Sequence, residues 1–213
     1  RLQSISEQGF VLRGFALPWA EALLQALAGV LIQSPFRHMQ TPGGFTMSAR
    51  LSSCGELGWT SDCNGYSYSP VDPLRKQPWP AMPDTFLALA EAAAGAAGFE
   101  HFVPDACLIN CYVPGAKMSL HQDKNERSLE APIVSISLGL PAVFQFGGFE
   151  RSDPAQRISL FHGDIVVWGG VDRLRAEAVP AAARSLALAF PAVLGGLGRS
   201  EMLADGPPHR FGV

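Results

Sequence analysis

A histidine and an aspartate stand one residue apart in the segment "SLHQDKNER", as His121 and Asp123. In an extended strand, residues i and i+2 point to the same side, so the pair can present an imidazole and a carboxylate to one metal ion. A third ligand would complete a facial triad, which leaves three positions of a ferrous ion open for a chelating ligand and dioxygen. The alternative is a surface turn that Asp123 caps beside a solvated His121, and the pair alone favours this alternative.

The composition is that of a chain that folds around a sizeable core. Its 213 residues suit one domain, and 47% of them are apolar. The formal net charge of −3 gives no overall basic character, so contact with nucleic acid would need a local positive patch. The four cysteines lack C-x-x-C spacing and are expected to be reduced thiols, which favours a cytoplasmic protein.

No segment predicts export or passage through a membrane. The apolar stretch "SLALAFPAVLGGLG" is interrupted by Pro191 and is too short to span a bilayer. The segment "RLQSISEQGF" lacks the apolar region of a signal peptide. We therefore expect a soluble protein that is not exported.

Two segments predict helices, residues 18–34 and 83–100. The first opens with Pro18 and then carries apolar residues at helical spacing: Leu23, Leu24, Leu27, Val30 and Leu31. The second has Asp84 as its expected N-cap and ends near Gly98. Residues 35–82 between them are rich in Gly, Pro, Ser and aromatics, which predicts hairpins or a binding lid.

Short apolar runs separated by turn signals follow residue 104, as in "ACLINCYV", "PIVSISLGL", "VFQFGG", "RISLF" and "IVVWGG". In the second run, Val134, Ile136 and Leu138 alternate with serines, the period of a strand with one packed face. Five or more strands at this spacing predict a β-sandwich or barrel with the two helices packed outside it.

The composition changes again at Arg175. In residues 175–213, Ala, Gly, Pro and Arg supply 22 of the 39 residues, and Asn, Gln, Lys, Thr, Ile, Tyr, Trp and Cys are absent. We therefore expect that this segment does not continue the sheet.

Several segments together resemble the AlkB family of iron(II)- and 2-oxoglutarate-dependent dioxygenases, which repair alkylated bases. They are "MQTPGGFTMS", "GELGWTSDCNGYSYSP", "KQPWPAMP", "PDACLINCYVPGAKMSLHQDKNE", "APIVSISLGLPAVFQFGG" and "HGDIVVWGG". The resemblance implies an α+β, mainly β fold: a double-stranded β-helix, or jelly roll, with N-terminal helices and a hairpin-rich nucleotide-recognition lid over about residues 35–82. It implies a dioxygenase domain over residues 1–174 and a divergent segment over residues 175–213.

The resemblance also implies roles for single residues. His121 and Asp123 match two iron ligands, and Asn110 and Tyr112 match residues that hydrogen-bond 2-oxoglutarate. The substrate-side residues that it implies are Met47, Trp59, Tyr66, Ser119, Asn125 and Arg151. Trp59 and Tyr66 match residues that hold a flipped base, with the alternative that they pack a hairpin. The alternative for Arg151 is a solvated loop charge.

The sequence departs from the family at two places. Asn125 stands where the family usually has the aspartate that reads the exocyclic amine of the base, and an amide both donates and accepts hydrogen bonds. Glu177 stands where the family has its third iron ligand, a histidine. The family's closing strand, Arg-x-Asn-x-Thr-x-Arg, has no counterpart, and Pro191 would confine "SLALAFPAVL" to a sheet edge.

Three explanations of the second departure stay open. Glu177 ligates iron, or the protein is a degenerate relative without turnover, or residues 175–213 arose by a frame shift in a GC-rich gene. The third is favoured for the origin of the segment. It predicts a chain without the third ligand and without the arginines that clamp 2-oxoglutarate.

The resemblance implies an oxidative demethylase that repairs 1-methyladenine and 3-methylcytosine in DNA, and also in RNA. It would use Fe(II), 2-oxoglutarate and O2, hydroxylate the N-methyl group and release formaldehyde. We expect a monomer. The competing hypothesis is an AlkB-like protein that binds nucleic acid and is impaired in catalysis.

Overall fold

The structure is a computed structural model, and it describes residues 1–126, 129–182 and 184–194. The helices are α1 (Ala20–Gln33) and α2 (Asp84–Ala96), with 3-10 turns at Leu17–Trp19 and Gly170–Asp172. The strands are β1 (Leu2–Ser4), β2 (Gly9–Leu12), β3 (Arg50–Gly55), β4 (Gly58–Asp62), β5 (Gly65–Ser69), β6 (Val71–Asp72), β7 (Gln77–Pro78), β8 (Ala106–Tyr112), β9 (Met118–His121), β10 (Ile133–Gly139), β11 (Ala142–Phe146), β12 (Gln156–Leu160), β13 (Ile165–Trp168), β14 (Glu177–Ala182) and β15 (Ser185–Phe190). Neither described helix is long and apolar enough to cross a membrane.

Two antiparallel sheets form the framework. The larger has the order β1-β2-β13-β10-β15-β8-β3, and the smaller has the order β12-β11-β14-β9. A cluster of buried side chains from both sheets joins them, including Phe144, Phe146 and Ile158 from the small sheet and Ile133 and Trp168 from the large one. This arrangement confirms the predicted mainly β fold of the jelly-roll type.

Both helices pack against the outer face of the large sheet, as predicted. Leu23 and Leu27 of α1 and Phe86 of α2 lie in one buried cluster with Ile136 of β10 and Leu188 of β15. The apolar stripe of α1 faces the sheet. Burial of this stripe is the main contribution to the stability of α1 in the folded protein.

In α1, Leu24 of the apolar series is 44% exposed, because the buried stripe follows Leu23, Leu27 and Val30. One detail of the helix predictions was wrong, and it concerns the start of α2. Asp84 is the first residue of α2 rather than its N-cap, a position that Pro83 occupies in an extended conformation. A carboxylate in the first turn still interacts favourably with the helix dipole.

The predicted strand pattern is confirmed in β8 and in β10 to β13. In β10, Val134, Ile136 and Leu138 are buried toward the helices. The alternating Ser135 and Ser137 line a cavity between the two sheets instead of facing water. The alternation in β10 therefore separates two buried faces of the strand: an apolar face that packs against the helices and a polar face that lines the cavity.

The region predicted to form hairpins contains two of them, β4–β5 and β6–β7. It also contains β3, which pairs with β8 at the edge of the large sheet. The proposed lid limits of about 35–82, and the division of the chain at residue 174, stay predictions.

The expectation that the segment after Arg175 does not continue the sheet was wrong for its first part. Residues 177–182 form β14 inside the small sheet, and residues 185–190 form β15 between β8 and β10. The expected confinement to a sheet edge was wrong too, because β15 ends at Phe190 and Pro191 therefore removes no donor from the ladder. Residues 195–213 lie outside the described part.

Replacing Phe190 by Ala is expected to lower the free energy of unfolding by about 3–5 kcal/mol, because the change leaves a cavity in the core. Its ring is fully buried and lies edge-on to Phe86, with 5.9 Å between ring centroids. Urea unfolding measures the loss. The control is Ile32→Ala, since Ile32 is 83% exposed. Equal stability of the two variants would show that β15 is not part of the core.

Candidate active site

Three side chains that can bind a metal converge where the small sheet meets the loop after β9. Ligand atoms of His121, Asp123 and Glu177 all lie within 4.8 Å of one another. His121 Nε2 is 3.5 Å from Asp123 Oδ1 and 3.6 Å from Glu177 Oε1. The site thus presents one nitrogen and two carboxylate oxygens toward one point.

The strand pairing explains this convergence. His121 ends β9, and its Cα partner on β14 is Glu177, so the two side chains stand directly opposite each other on one face of the sheet. Asp123 follows two residues later, on the same side as His121. The side-by-side geometry predicted for His121 and Asp123 is therefore present, and Glu177 occupies the third corner.

The imidazole of His121 is oriented by its own backbone. Its Nδ1 lies 2.9 Å from the carbonyl oxygen of Ser119, so this nitrogen donates its hydrogen there. Nε2 is left facing the two carboxylates, with a lone pair available to a metal.

Burial and mutual charge shape the ionisation of the triad. Burial raises the pKa of Glu177, and the charge of Asp123 raises it further, to about 8. Burial opposes a charge on His121, but hydrogen bonding and charge from Asp123, together with Glu177, outweigh it and raise the pKa of His121 to about 10. Burial would raise the pKa of Asp123 as well, yet His121 and Arg173 hold it below its ordinary value. A divalent cation would replace the protons of His121 and Glu177.

A buried arginine holds the loop that carries Asp123. Arg173 donates to the carbonyl oxygens of Asp123 at 2.6 Å and Ala131 at 3.1 Å, and it forms an ion pair with Glu126 at 2.9 Å. A second contact holds the loop: the side-chain amide of Gln122, inside the loop, donates a hydrogen bond to the carbonyl oxygen of Leu174. Asp123 is therefore positioned before any metal binds.

The same network reaches the β4–β5 hairpin. The hydroxyl of Tyr68 on β5 donates to Glu126 Oε1 at 2.9 Å. Burial raises the pKa of both Tyr68 and Glu126. Trp59 and Tyr66 lie on the same face of the hairpin as Tyr68, by the pairing of β4 with β5. The hydrogen bond from Tyr68 to Glu126 thus links the aromatic face of the hairpin to the loop that carries Asp123.

A cavity with about 630 Å³ of empty space, including its mouth, opens beside the triad between the two sheets. His121 and Glu177 form one end of it, and Asn110 and Tyr112 of β8 lie on its wall. Burial raises the pKa of the Tyr112 hydroxyl, so it stays protonated. Asn110 Oδ1 is buried without a hydrogen-bond partner among the described residues. An unpaired buried acceptor is costly and marks a place where a ligand can bind.

The donor set fits a divalent metal ion, since imidazole suits Fe²⁺ and carboxylate oxygens suit Mn²⁺ and Mg²⁺. The fit to 2-oxoglutarate is incomplete. Its 2-oxo acid end would lie at the metal, but no described residue that lines the cavity carries a positive charge other than His121. The second carboxylate of 2-oxoglutarate therefore meets no arginine or lysine from the described part of the chain.

The structure brings some of the other predicted residues together. Trp59 and Tyr66 stack, with 5.5 Å between ring centroids and 19° between their planes. Asn125 lies half-buried in the loop between Asp123 and Glu126. Exposed Arg151 donates to the carbonyl oxygen of Leu120, beside His121. Their roles stay predictions.

The other two residues with a predicted substrate role are Met47 and Ser119, and that role stays a prediction. Met47 is half-buried, and its backbone pairs with Met39 and accepts from His38. The side chain of Ser119 is exposed, and only its carbonyl oxygen reaches the site, through His121.

Sequence reasoning missed the network of Tyr68, Glu126 and Arg173. Nothing in their spacing joins a hairpin, a loop and the segment before β14. The one available signal was the pair of charges next to apolar runs, "KNE" and "DRL", since a charge that becomes buried requires a partner.

Comparison with known proteins places these features in a family. The 2OG-Fe(II) oxygenase superfamily matches residues 10–202. The alpha-ketoglutarate-dependent dioxygenase AlkB of Escherichia coli strain K12 is 60% identical over 164 residues, which cover 77% of this chain and 76% of that protein. The AlkB homolog of Caulobacter vibrioides strain NA1000 is 40% identical over 161 residues, 72% of this chain and 71% of the homolog.

A solved structure of OsALKBH1 has the same fold. It superimposes with a TM-score of 0.76 at 24% identity, and the match covers 89% of this chain and 99% of that one. With its two-sheet fold, three converging side chains that could hold a metal ion, and 60% identity to a dioxygenase over most of the chain, this protein belongs to the AlkB family of the 2OG-Fe(II) oxygenase superfamily.

Proposed function

We propose that this protein is an oxidative demethylase that repairs N-alkylated bases of the 1-methyladenine and 3-methylcytosine type. Fe(II) is the cofactor of its family, and 2-oxoglutarate and O2 are the co-substrates. One observation carries the proposal: His121, Asp123 and Glu177 converge, and two of them, His121 and Glu177, also line a cavity. A one-sided triad of this kind leaves coordination positions open for a second ligand and for O2.

The metal and the protein would have different roles in the reaction. The metal, when bound, supplies the activation of O2, which the side chains of this protein cannot perform. The triad holds the metal, and the cavity beside it, lined by Asn110 and Tyr112, receives the co-substrate. Hydroxylation of the N-methyl group, coupled to oxidation of 2-oxoglutarate by O2 to succinate and CO2, would give an unstable N-hydroxymethyl group, which leaves as formaldehyde and restores the unmethylated base in the strand. The protein must therefore hold the methyl group close to the metal and exclude competing groups.

The β4–β5 hairpin supports a nucleic-acid substrate. Tyr66 is exposed and Trp59 is half-buried, so their stacked rings offer an aromatic surface to an extruded base. Exposed Lys124 and Arg151 flank the segment of His121 and Asp123 and can contact phosphates. We propose DNA as the first substrate and RNA as the second, with the protein acting as a monomer in the cytoplasm, where its cysteines would stay reduced.

A specific observation favours a second candidate function. The described lining of the cavity holds no arginine or lysine, and Glu177 replaces a histidine of the family. A protein that keeps the hairpin and the metal but turns over slowly, or not at all, would act by binding alkylated nucleic acid.

Release of formaldehyde from a 1-methyladenine oligonucleotide, with Fe(II), 2-oxoglutarate and O2 supplied, distinguishes the two functions. The demethylase predicts release that stops when Fe(II) is chelated. The control is the same oligonucleotide without the methyl group. Binding of the methylated oligonucleotide without any iron-dependent release would favour the second function.

Replacing Trp59 by Ala is expected to weaken binding of the methylated oligonucleotide by about 5- to 150-fold, since stacking contributes about 1–3 kcal/mol per base. Fluorescence anisotropy measures the change. Trp59→Phe keeps an aromatic face and should retain most of the affinity. Phe161→Ala, in the exposed turn between β12 and β13, is the control on a different surface. Unchanged binding by the Trp59→Ala variant would leave the two rings with a purely structural role.

A further inference from the structure

The wall of the cavity is polar but uncharged away from the triad. From the large sheet it receives Asn110 and Tyr112 of β8, Ser135 and Ser137 of β10, and Ser185 and Ala187 of β15. Apolar residues supply most of the remaining lining, among them Leu140, Phe144 and Leu160. The two charged residues of the described lining, His121 and Glu177, both lie at the metal end.

Two polar atoms of the wall have no partner. Asn110 Oδ1 and Ser185 Oγ are both buried, and neither has a hydrogen bond within the described part of the chain. The residue exposures are 4% for Asn110 and 7% for Ser185. A buried amide and a buried hydroxyl without partners indicate a ligand that brings hydrogen-bonding groups to them.

Arg50 and Arg173, two arginines of the described part, are turned away or engaged elsewhere. Arg50 of β3 is the Cα partner of Cys111, so its side chain lies on the face of the sheet opposite to Asn110 and Tyr112. It contacts Cys111 Sγ and lies over the ring of Phe36. Arg173 is bound to Glu126, as described above.

The arginines next to β14 and β15 do not line the cavity either. Arg175 pairs with Asp172 and lies 4.8 Å from the ring centroid of Phe149. Arg184 is exposed in the turn before β15. No cation of the described chain is therefore placed to neutralise a second carboxylate inside the cavity.

We propose that this cavity takes 2-oxo acids with an uncharged tail at least as well as it takes 2-oxoglutarate, and that Ser185 determines this selectivity. The proposal rests on the proposed function, because it names the class of co-substrate for the same site. Burying a carboxylate without a cation or enough donors is strongly unfavourable, whereas a short alkyl tail gains from contact with Leu140, Phe144 and Leu160. Ser185 stands at the start of β15, where a longer, charged side chain would reach into the cavity.

Isothermal titration calorimetry of the full chain loaded with Mn²⁺ tests the proposal without turnover. The two ligands are 2-oxoglutarate and 2-oxopentanoate, which differ only in a terminal carboxylate against a methyl group. We expect 2-oxopentanoate to bind no more weakly than 2-oxoglutarate. Tighter binding of 2-oxoglutarate would overturn the proposal.

Ser185→Arg tests the assigned residue. It is expected to shift the preference toward 2-oxoglutarate by about tenfold or more, the effect of one charge-assisted hydrogen bond. Ser185→Gln, long but neutral, is the matched control and should not shift it. Urea unfolding checks that both variants fold, and Ser185→Lys, a cation at the same position, replaces Ser185→Arg if that variant does not. A folded arginine variant with no gain for 2-oxoglutarate would contradict the role of Ser185.

The failure of this proposal and that of the proposed function can be told apart. Binding of neither acid overturns both, because the cavity would then not be a co-substrate site. Preference for 2-oxoglutarate, with formaldehyde release intact, overturns only the selectivity. If 2-oxopentanoate binds at least as tightly as 2-oxoglutarate but no formaldehyde is released, the selectivity is supported and the demethylase function is refuted.

Discussion

Replacing Asp123 by Asn is expected to lower the affinity for Mn²⁺ by more than about 100-fold, because even partners that only orient a metal ligand typically contribute about 10- to 100-fold. Asn keeps the shape of the side chain but removes the negative charge that attracts the cation. Of the three candidate ligands, Asp123 is the one whose pKa lies below its ordinary value, so it is expected to be ionised before a metal binds. Iron-dependent release of formaldehyde should fall with metal affinity.

Calorimetric titration with Mn²⁺ measures the change, and Glu91→Gln is the control. Glu91 is exposed on α2, so this variant removes one negative charge without touching the site. An Asp123→Asn variant that binds Mn²⁺ as tightly as the control would show that Asp123 is not a ligand.

Replacing Arg173 by Met is expected to lower the free energy of unfolding by about 3–5 kcal/mol, because removing one partner of a buried ion pair leaves an uncompensated charge. The side chains of Arg173 and Glu126 are both almost completely buried. Two backbone carbonyl groups, of Asp123 and Ala131, also lose their donor. The loop of the metal site should therefore loosen, and Mn²⁺ affinity should fall as well.

A double-mutant cycle with Glu126→Gln separates the ion pair from the other contacts. In the double variant no charge is left unpaired, so part of the lost stability should return. Urea unfolding of the four proteins gives the coupling free energy. Additive losses for the two single variants would mean that the pair does not act as a unit.

Much of the fold could be predicted from local patterns. The alternation of apolar residues with serines in β10 and the helical spacing in α1 each identify an element from its own residues. The mistakes came where packing overrides composition. β15 contains Leu, Ala and Phe that alternate toward the core, yet its Ala-rich, Pro-flanked setting suggested a segment outside the sheet. Pro191 suggested an edge strand, because a proline inside a strand removes a backbone hydrogen bond of the sheet. Here the strand ends at Phe190, one residue before the proline, so no such bond is lost.

The candidate site was predictable in part. The spacing of His121 and Asp123 limits where they can point, and a register comparison led to Glu177. The network of Tyr68, Glu126 and Arg173 could not be predicted, because residues so far apart in sequence meet only when both sheets have formed. The neutral wall of the cavity likewise depends on which face of β15 turns inward.

The origin of residues 175–213 by a frame shift stays a prediction. Resequencing the gene around the codon for Arg175 tests it. A one-base correction that restores a His-Gly pair and an Arg-x-Asn-x-Thr-x-Arg strand would confirm it, and an unchanged reading frame would refute it.

We propose that His121, Asp123 and Glu177 bind one divalent cation together. A crystal structure of the protein with Mn²⁺, located by its anomalous scattering, is the decisive experiment. We expect a single ion bonded to His121 Nε2 and to one carboxylate oxygen each from Asp123 and Glu177. An ion bound by His121 and Asp123 with Glu177 turned away, or an ion elsewhere, would contradict it.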